Sequence, residues 1–386
     1  MKDIYLDNAA TTKIDPRVLK KMMPYYTESY ANASSIHFPG QKNDLKIKEC
    51  KKNIAKIIGA SADNIVFTAT ATEANNFIIK GVMRANRDKG KHFLISSIEH
   101  PSVLETARVL SQEGFNFDYI KVDSEGIVDL NDLERKIKPD TVLISVLMIN
   151  NEIGTIQPIS EIAKIAKKNG VFFHSDAVQA VPYLKINVEK SGIDFLTLSA
   201  HKFYGPQGVA VACINKKIKI EPFILGGGQE DSYRSGTYNM AGIVGLTEAL
   251  KLAYKERDKY IKKVKDLRDL TWRELKKEIP GLHLNGSWKK RSPNNLNIMI
   301  EGVEGEAVLI DLSLAGIAIS TGSACSATNL KTSSVITAMG INPKYINSNI
   351  RLTWGRYNNM NEVSRLVKTL KKTVARLRDF SSVYEK

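Results

Sequence analysis

The sequence predicts an α/β fold: a large domain on a mainly parallel seven-stranded sheet, followed by a smaller α+β domain. Three observations lead there. Short β-branched runs alternate with amphipathic helical patterns, as in sheets covered by helices on both faces. The polar motifs fall at the ends of these runs, where open α/β sheets place their ligands. From Ala241 to Ile279 there is no proline, and that stretch reads as one long helix or two nearly continuous ones leading into a differently patterned region.

The seven strand candidates are Asn64–Thr68, His92–Ser97, Asn116–Val122, Thr141–Met148, Val171–Asp176, Phe195–Ser199 and Gly208–Ile214. Helical patterns lie between them. Asn43–Ile58 sets Ile47, Cys50, Ile54 and Ile57 on one face, and Glu73–Asn86 does the same with Phe77, Ile78, Val82 and Ala85. Pro101 suits the first turn of another helix. After Ile279 come a strand (Leu296–Ile300), a helix (Gly305–Ala315), a strand (Ile317–Ser320), a Gly/Ser/Ala loop, a strand (Asn349–Trp354) and a closing helix (Asn361–Phe380). The domains are placed at 1–255 and 256–386, with roughly the first 15 residues packing against the smaller one.

Composition narrows the function classes. The chain has 386 residues, 43% of them hydrophobic and 25% charged, which is globular and ample for a core. The longest strongly apolar run, Val142–Ile149, is far too short to span a bilayer, and no targeting segment is visible, so a cytoplasmic protein with no membrane partner is expected. Three scattered cysteines build neither a disulfide framework nor a zinc cluster, and no resident metal is expected. The net charge of +15 comes mostly from lysines spread over helix surfaces, without an aromatic-interleaved stripe, so no specific nucleic-acid binding is expected.

Two motifs carry most of the chemistry. His174-Ser-Asp176-Ala-Val-Gln179 and Ser199-Ala-His201-Lys202 end successive apolar runs. An aspartate can hold a proton on a pyridine nitrogen, and a lysine can form a Schiff base with an aldehyde; pyridoxal phosphate needs both. Lys202, at a strand end, would be shielded from water, which favours the neutral, nucleophilic amine. Upstream, Thr68-Ala-Thr70-Ala71-Thr72-Glu73-Ala-Asn75 takes a strand into a helix with a capping-box pattern between Thr70 and Glu73, and a helix start binds phosphate well. Taken alone it would be only a well-capped helix. Glu99-His100-Pro101 sets a histidine at a strand end, able to stack on a heterocycle and move protons. Asn150-Asn151-Glu152-Ile-Gly154 suits hydrogen bonding to a ring oxygen or an ordinary turn. Arg234-Ser-Gly236-Thr237 is a glycine-marked loop with a cation and a hydroxyl that could reach a phosphate.

Cys50 and Cys213 lie on apolar faces and read as small core residues, whereas Cys325 sits among small polar residues, the setting of a nucleophile. Arg351 could grip a carboxylate at two points, with Arg356 as the competing candidate.

With these residues assembled, the chain resembles the cysteine desulfurases of the NifS/IscS type, within the class V aminotransferase group. The likeness runs nearly end to end, through Tyr5-Leu-Asp7-Asn-Ala-Ala10-Thr-Thr12, Asn32-Ala-Ser-Ser-Ile-His37, Ala71-Thr72-Glu73, Asp176-Ala-Val-Gln179, Ser199-Ala-His201-Lys202, Tyr204-Gly-Pro206 and Gly322-Ser-Ala-Cys325. It implies a pyridoxal 5′-phosphate-dependent transferase of fold type I, a homodimer with its site at the subunit interface. Lys202 would carry the cofactor and Asp176 would pair with its ring nitrogen. Gln179 and Asn151 would lie near the ring hydroxyl, and His100 would stack on the ring. Ala71, Thr72, Ser199 and His201 would hold the phosphate, with Thr237 reaching over from the second subunit. Arg351 and Asn32 would bind L-cysteine. Cys325 would attack the substrate sulfur, helped by proton removal through His100, leaving L-alanine and a persulfide for a sulfur-acceptor protein such as an iron–sulfur scaffold. Cys325 could also transiently ligate an iron–sulfur cluster.

The 26-residue separation of Cys325 and Arg351 matches the longer cysteine loop of the NifS/IscS branch rather than the SufS-like one. Ala33 stands where the family usually has proline. The sequence ends at Lys386 without the long tail that housekeeping members offer to a scaffold, which leaves cluster assembly, tRNA thiolation or another route open. An aminotransferase or selenocysteine lyase would share the cofactor site, but an aminotransferase needs no loop thiol. A non-catalytic sulfur carrier would need neither Lys202 nor Cys325.

Overall fold

The protein is described by a computed structural model covering residues 3–321 and 333–380. Among these residues the strands are β1 (Ile4–Tyr5), β2 (Ile65–Thr68), β3 (His92–Ser96), β4 (Asn116–Ile120), β5 (Thr141–Ser145), β6 (Phe172–Asp176), β7 (Phe195–Ser199), β8 (Ala210–Ile214), β9 (Leu282–Leu284), β10 (Asn295–Ile300), β11 (Ile317–Ala318) and β12 (Asn349–Thr353). Seven of them form one sheet in the order β2-β8-β7-β6-β5-β3-β4. Only β8 runs against its neighbours. The carboxyl ends of β2, β3, β5, β6 and β7 therefore share one edge, which is where the motifs around Ala71, His100, Asn151, Asp176 and Lys202 sit.

Strands β3, β5 and β7 are buried along their whole length, as expected of a sheet covered on both faces by helices. Helix Ala71–Ala85 follows β2 and lays Ala74, Phe77, Ile78 and Val82 into the core. Helix Pro101–Gln112 follows β3, with proline in its first turn, where the missing N–H costs nothing. The long helical stretch is two helices, Met240–Lys255 and Arg257–Glu278, with the break at Glu256.

Beyond the break, an antiparallel sheet in the order β12-β10-β9 is accompanied by helices Gly305–Leu314 and Met360–Asp379. The N-terminal strand β1 pairs in parallel with β11, and Asp7 bridges to Thr353, so the first residues belong structurally with this sheet. Helix Phe38–Ile58 begins five residues earlier than its apolar pattern predicts, because His37 caps it and Pro39 is tolerated in the first turn.

Candidate active site

At the shared sheet edge lies a cavity of about 400 Å³, within the range of small-ligand sites. Ten of the predicted site residues line it: Ala71, Thr72, His100, Asn151, Asp176, Gln179, Ser199, His201, Lys202 and Arg351. Each arrives by a local device. Asp176 is the last residue of β6, Ser199 the last of β7, and the short helical turn Ala200–Lys202 carries Lys202 round to the same side. His100 caps helix Pro101–Gln112, its Nδ1 accepting from the Ser102 amide at 3.1 Å.

From residues 7–12, Ala9 and Ala10 also line the cavity. Lys202 Nζ donates to the carbonyls of Ala9 and Ala10 at 2.7 and 2.8 Å. Gln179 Nε2 donates to Ala9 O at 2.8 Å, and His201 Nδ1 meets Thr11 Oγ1 at 3.1 Å. Burial, reinforced by the Lys202 charge, pushes the His201 pKa down to about 4, so this ring is neutral at pH 7. Burial also lowers the His100 pKa, with Asp176 opposing the shift and Lys202 adding to it.

The helix start at the cavity is capped differently from the predicted box. Thr70 Oγ1 accepts the Glu73 amide at 3.0 Å, but the Glu73 carboxylate accepts the amide of Ala69 rather than that of Thr70. Its other oxygen accepts from Arg234 Nε at 2.7 Å. Arg234 is thereby tied to the helix start, away from the role of a cation aimed at the cavity.

The donor set fits pyridoxal phosphate. A carboxylate (Asp176) stands ready for a ring N–H. A helix start (Thr70, Ala71, Thr72) with Ser199 and neutral His201 offers hydrogen bonds to phosphate, and Lys202 lines the same cavity, as a Schiff base with an aldehyde requires.

The two competing arginines have different surroundings. Arg351 lines the cavity. Its Nη2 donates to Asp7 Oδ1 at 2.6 Å and its Nη1 to Asn151 O at 2.9 Å, while its buried Nε has no partner among the described residues. Arg356 pairs with Asp15 and Glu256 and lies over the Tyr204 ring at 4.5 Å. It is outside the lining and spent on packing.

Three predicted residues are not in the cavity of this chain. Thr237 is exposed beside a separate small cavity that also touches Arg234, and Asn32 is exposed on a turn where its Oδ1 accepts the Ser34 amide. Cys325 lies outside the described residues. Cys50 and Cys213 are buried free thiols, as read from their apolar faces.

Sequence reasoning missed two groups that the structure brings to the site. Asn75, fully buried, donates through Nδ2 to Asp176 Oδ2 at 2.8 Å and to Ser102 Oγ at 2.9 Å. Ser102 also lines the cavity. The one signal was an asparagine on the apolar side of an amphipathic helix, a position that requires a polar partner. Of the other motif residues, Asn150 is committed to its turn, accepting the amides of Glu152 and Ile153. Glu99 clamps two strand ends by accepting from Ser96 Oγ and the Leu147 amide, and burial pushes its pKa up to about 8.

Among the described residues no group of three or more His, Cys, Asp or Glu could hold a metal ion, and no helix is long and apolar enough to cross a membrane.

Comparison with known proteins agrees with this geometry. The family model for aminotransferase class V matches residues 4–366. The chain is 44% identical to cysteine desulfurase IscS of Dictyoglomus turgidum, across 98% of this chain and 96% of that one. Its fold matches a solved NifS-like protein with a TM-score of 0.91 at 36% identity, covering 97% and 99% of the two chains. It also matches SspA in complex with cysteine, with a TM-score of 0.81 at 33% identity over 92% and 100%.

Proposed function

This chain belongs to the class V aminotransferase family, and we propose that it acts there as a pyridoxal-phosphate-dependent cysteine desulfurase. The observation that carries the reading is the convergence of Asp176, Lys202 and Arg351 on one cavity, in a chain matched end to end by desulfurases. The net reaction moves one sulfur atom: L-cysteine and the Cys325 thiol become L-alanine and a Cys325 persulfide.

When bound, pyridoxal phosphate supplies an electron sink for the bond-breaking at the substrate carbons. The chain's own residues do the rest. Asp176 keeps the proton on the ring nitrogen. Ala71, Thr72, Ser199 and His201 would anchor the phosphate, and Gln179 and Asn151 would hydrogen-bond the ring hydroxyl. Lys202 holds the cofactor and moves the α-proton of the substrate. Arg351 takes the substrate carboxylate, its unpartnered Nε and spare Nη hydrogens giving it a fork to do so. His100, which lines the cavity, would stack on the ring and move protons beside the substrate sulfur. Cys325, in the 26-residue stretch before Arg351, receives that sulfur and passes it to an acceptor protein serving iron–sulfur cluster assembly or tRNA thiolation.

The same proposal makes the working unit a cytoplasmic homodimer. The exposure of Thr237 and Asn32 away from their own cavity supports a second copy, as do the exposed apolar side chains of Tyr30, Ile36, Phe38 and Leu225. A solution mass near that of one chain, 42.9 kDa, would refute the dimer. Residues 1–255 and 256–386 serve as large and small domains, a division supported by the helix break at Glu256.

The test is sulfide and alanine release from L-cysteine with a reductant, for the intact protein and for Cys325→Ala. Equimolar products from the first and none from the second are expected, with bound cofactor in both. A Cys325→Ala protein as active as the parent would sink the persulfide route.

A further inference from the structure

A buried hydrogen-bond chain runs beneath the cavity from Asp176 to His100, and none of its middle members has a part in the reaction as proposed. Asn75 faces the Asp176 carboxylate at 2.8 Å, and only an amide nitrogen can face a carboxylate, so the orientation of the Asn75 amide is fixed. The same nitrogen reaches Ser102 Oγ at 2.9 Å, which uses its second hydrogen. The Ser102 oxygen is thus an acceptor from Asn75, and its own hydrogen is free to go to His100 Nδ1, 2.9 Å away. The Ser102 backbone amide points at that same nitrogen at 3.1 Å. With two donors aimed at Nδ1, that atom is the acceptor of a neutral imidazole. The ring hydrogen then sits on Nε2, the nitrogen left for the cavity that His100 lines.

The arrangement has no evident value for folding. Asn75 is fully buried on a helix whose Ala74, Phe77 and Ile78 are buried as well, and its Oδ1 has no partner among the described residues. A buried polar group left half satisfied calls for an explanation other than packing. A leucine would fill an amphipathic helix face here without that deficit.

We propose that Asn75 and Ser102 are positioning residues: one amide holds the Asp176 carboxylate and, through the Ser102 hydroxyl, fixes His100 as the tautomer carrying its hydrogen on Nε2. His100 therefore offers an N–H to whatever lies in the cavity, so its first act toward a bound substrate is to donate. Accepting a proton at that nitrogen requires its own to leave first. The inference rests on the desulfurase reading only for the identity of the substrate.

The test is long-range proton–nitrogen correlation spectroscopy on holoenzyme carrying ¹⁵N-labelled histidine, with the His100 signals assigned by their loss in His100→Gln. The intact enzyme should show Nδ1 as an unprotonated acceptor and Nε2 as protonated. Ser102→Ala, which keeps the backbone donor but removes the hydroxyl, leaves Nδ1 with one donor in place of two, and Asn75→Leu frees the hydroxyl to accept from Nδ1, so each should raise the share of His100 carrying its hydrogen on Nδ1. Ser102→Thr should restore the intact signature. Turnover in the two disrupted variants should fall about 100-fold in kcat with little change in KM, the scale of a misplaced reacting group. A hydrogen on Nδ1 in the intact enzyme would overturn the proposal, as would an unchanged signature in Ser102→Ala, which holds even if Asn75→Leu fails to fold. Failure of the desulfurase reading shows separately, as absence of alanine from the intact enzyme.

Discussion

Replacing Arg351 and Arg356 by lysine, one at a time, separates carboxylate recognition from packing. A lysine keeps the charge and loses the planar fork. Arg351 spends two of its five N–H groups, on Asp7 and on the Asn151 carbonyl. Its Nε hydrogen is buried with no partner among the described residues, so the proposed two-point grip on a carboxylate would use that hydrogen with one from an Nη. Arg351→Lys removes at least one charge-assisted hydrogen bond, worth about 1.5–3 kcal/mol. At about 1.4 kcal/mol per tenfold, KM for L-cysteine should rise about 10- to 150-fold, with a smaller fall in kcat. Arg356 instead holds Asp15 and Glu256 and lies over Tyr204. Arg356→Lys should leave KM within about twofold and cost about 1–3 kcal/mol of stability, as broken buried networks do. Steady-state alanine release gives KM and kcat, and urea unfolding gives the stability. A KM that rises for Arg356→Lys and not for Arg351→Lys would refute the reasoning outright.

Two further predictions bear on the cofactor and on acid stability. Borohydride reduction of the intact enzyme should add one reduced pyridoxyl phosphate, found by mass spectrometry on the peptide with Lys202; Lys202→Arg should add none, and a label on another lysine would displace Lys202 from its role. The Asp15 carboxyl is held down at about 2, against an ordinary 3.8, chiefly by its hydrogen bond with Arg17. Because the folded value is depressed, the stabilisation is complete above the unfolded pKa and is lost as pH falls from about 4 to about 2; it amounts to about 2 kcal/mol. Asp15→Asn should lower unfolding stability by that amount at pH 7 and by progressively less below pH 4, and a difference independent of pH would show that the charge is not what Asp15 contributes.

The sheet was legible because its strands are short apolar runs bounded by turns, and all seven stand where the pattern places them. The overruns have a physical cause. Thr141–Met148 reads as one strand, whereas β5 ends at Ser145, because Val146, Leu147 and Met148 stay buried as the chain leaves the ladder. Lys202, Asp176 and the helix start at Ala71 were legible because each is local to a strand end. The Asp7–Arg351 pair was not, since nothing in either segment marks a partner 344 residues away. Asn75 and Ser102 escaped for a related reason: each is an ordinary polar residue in a helix, and only the crossing of two helices beneath β6 gives them a shared task.

The segment from Asp7 to Asp15 explains how two sheets come to share one site. It contributes no titrating group to the cavity wall, yet it touches nearly every element there. Asp7 holds Arg351 of the smaller sheet. The Ala9 and Ala10 carbonyls receive Lys202, and Ala9 also receives Gln179. Thr12 donates its amide to His201 O, and its hydroxyl oxygen accepts the Tyr204 amide. Asp15 then returns to Arg356, just past β12. The groups proposed to bind the substrate carboxylate and the cofactor thus hang from one strap, most of it held by main-chain atoms. Side-chain substitutions along Ala9–Ala10 should accordingly matter through bulk rather than chemistry, because what the site uses there is the backbone carbonyl.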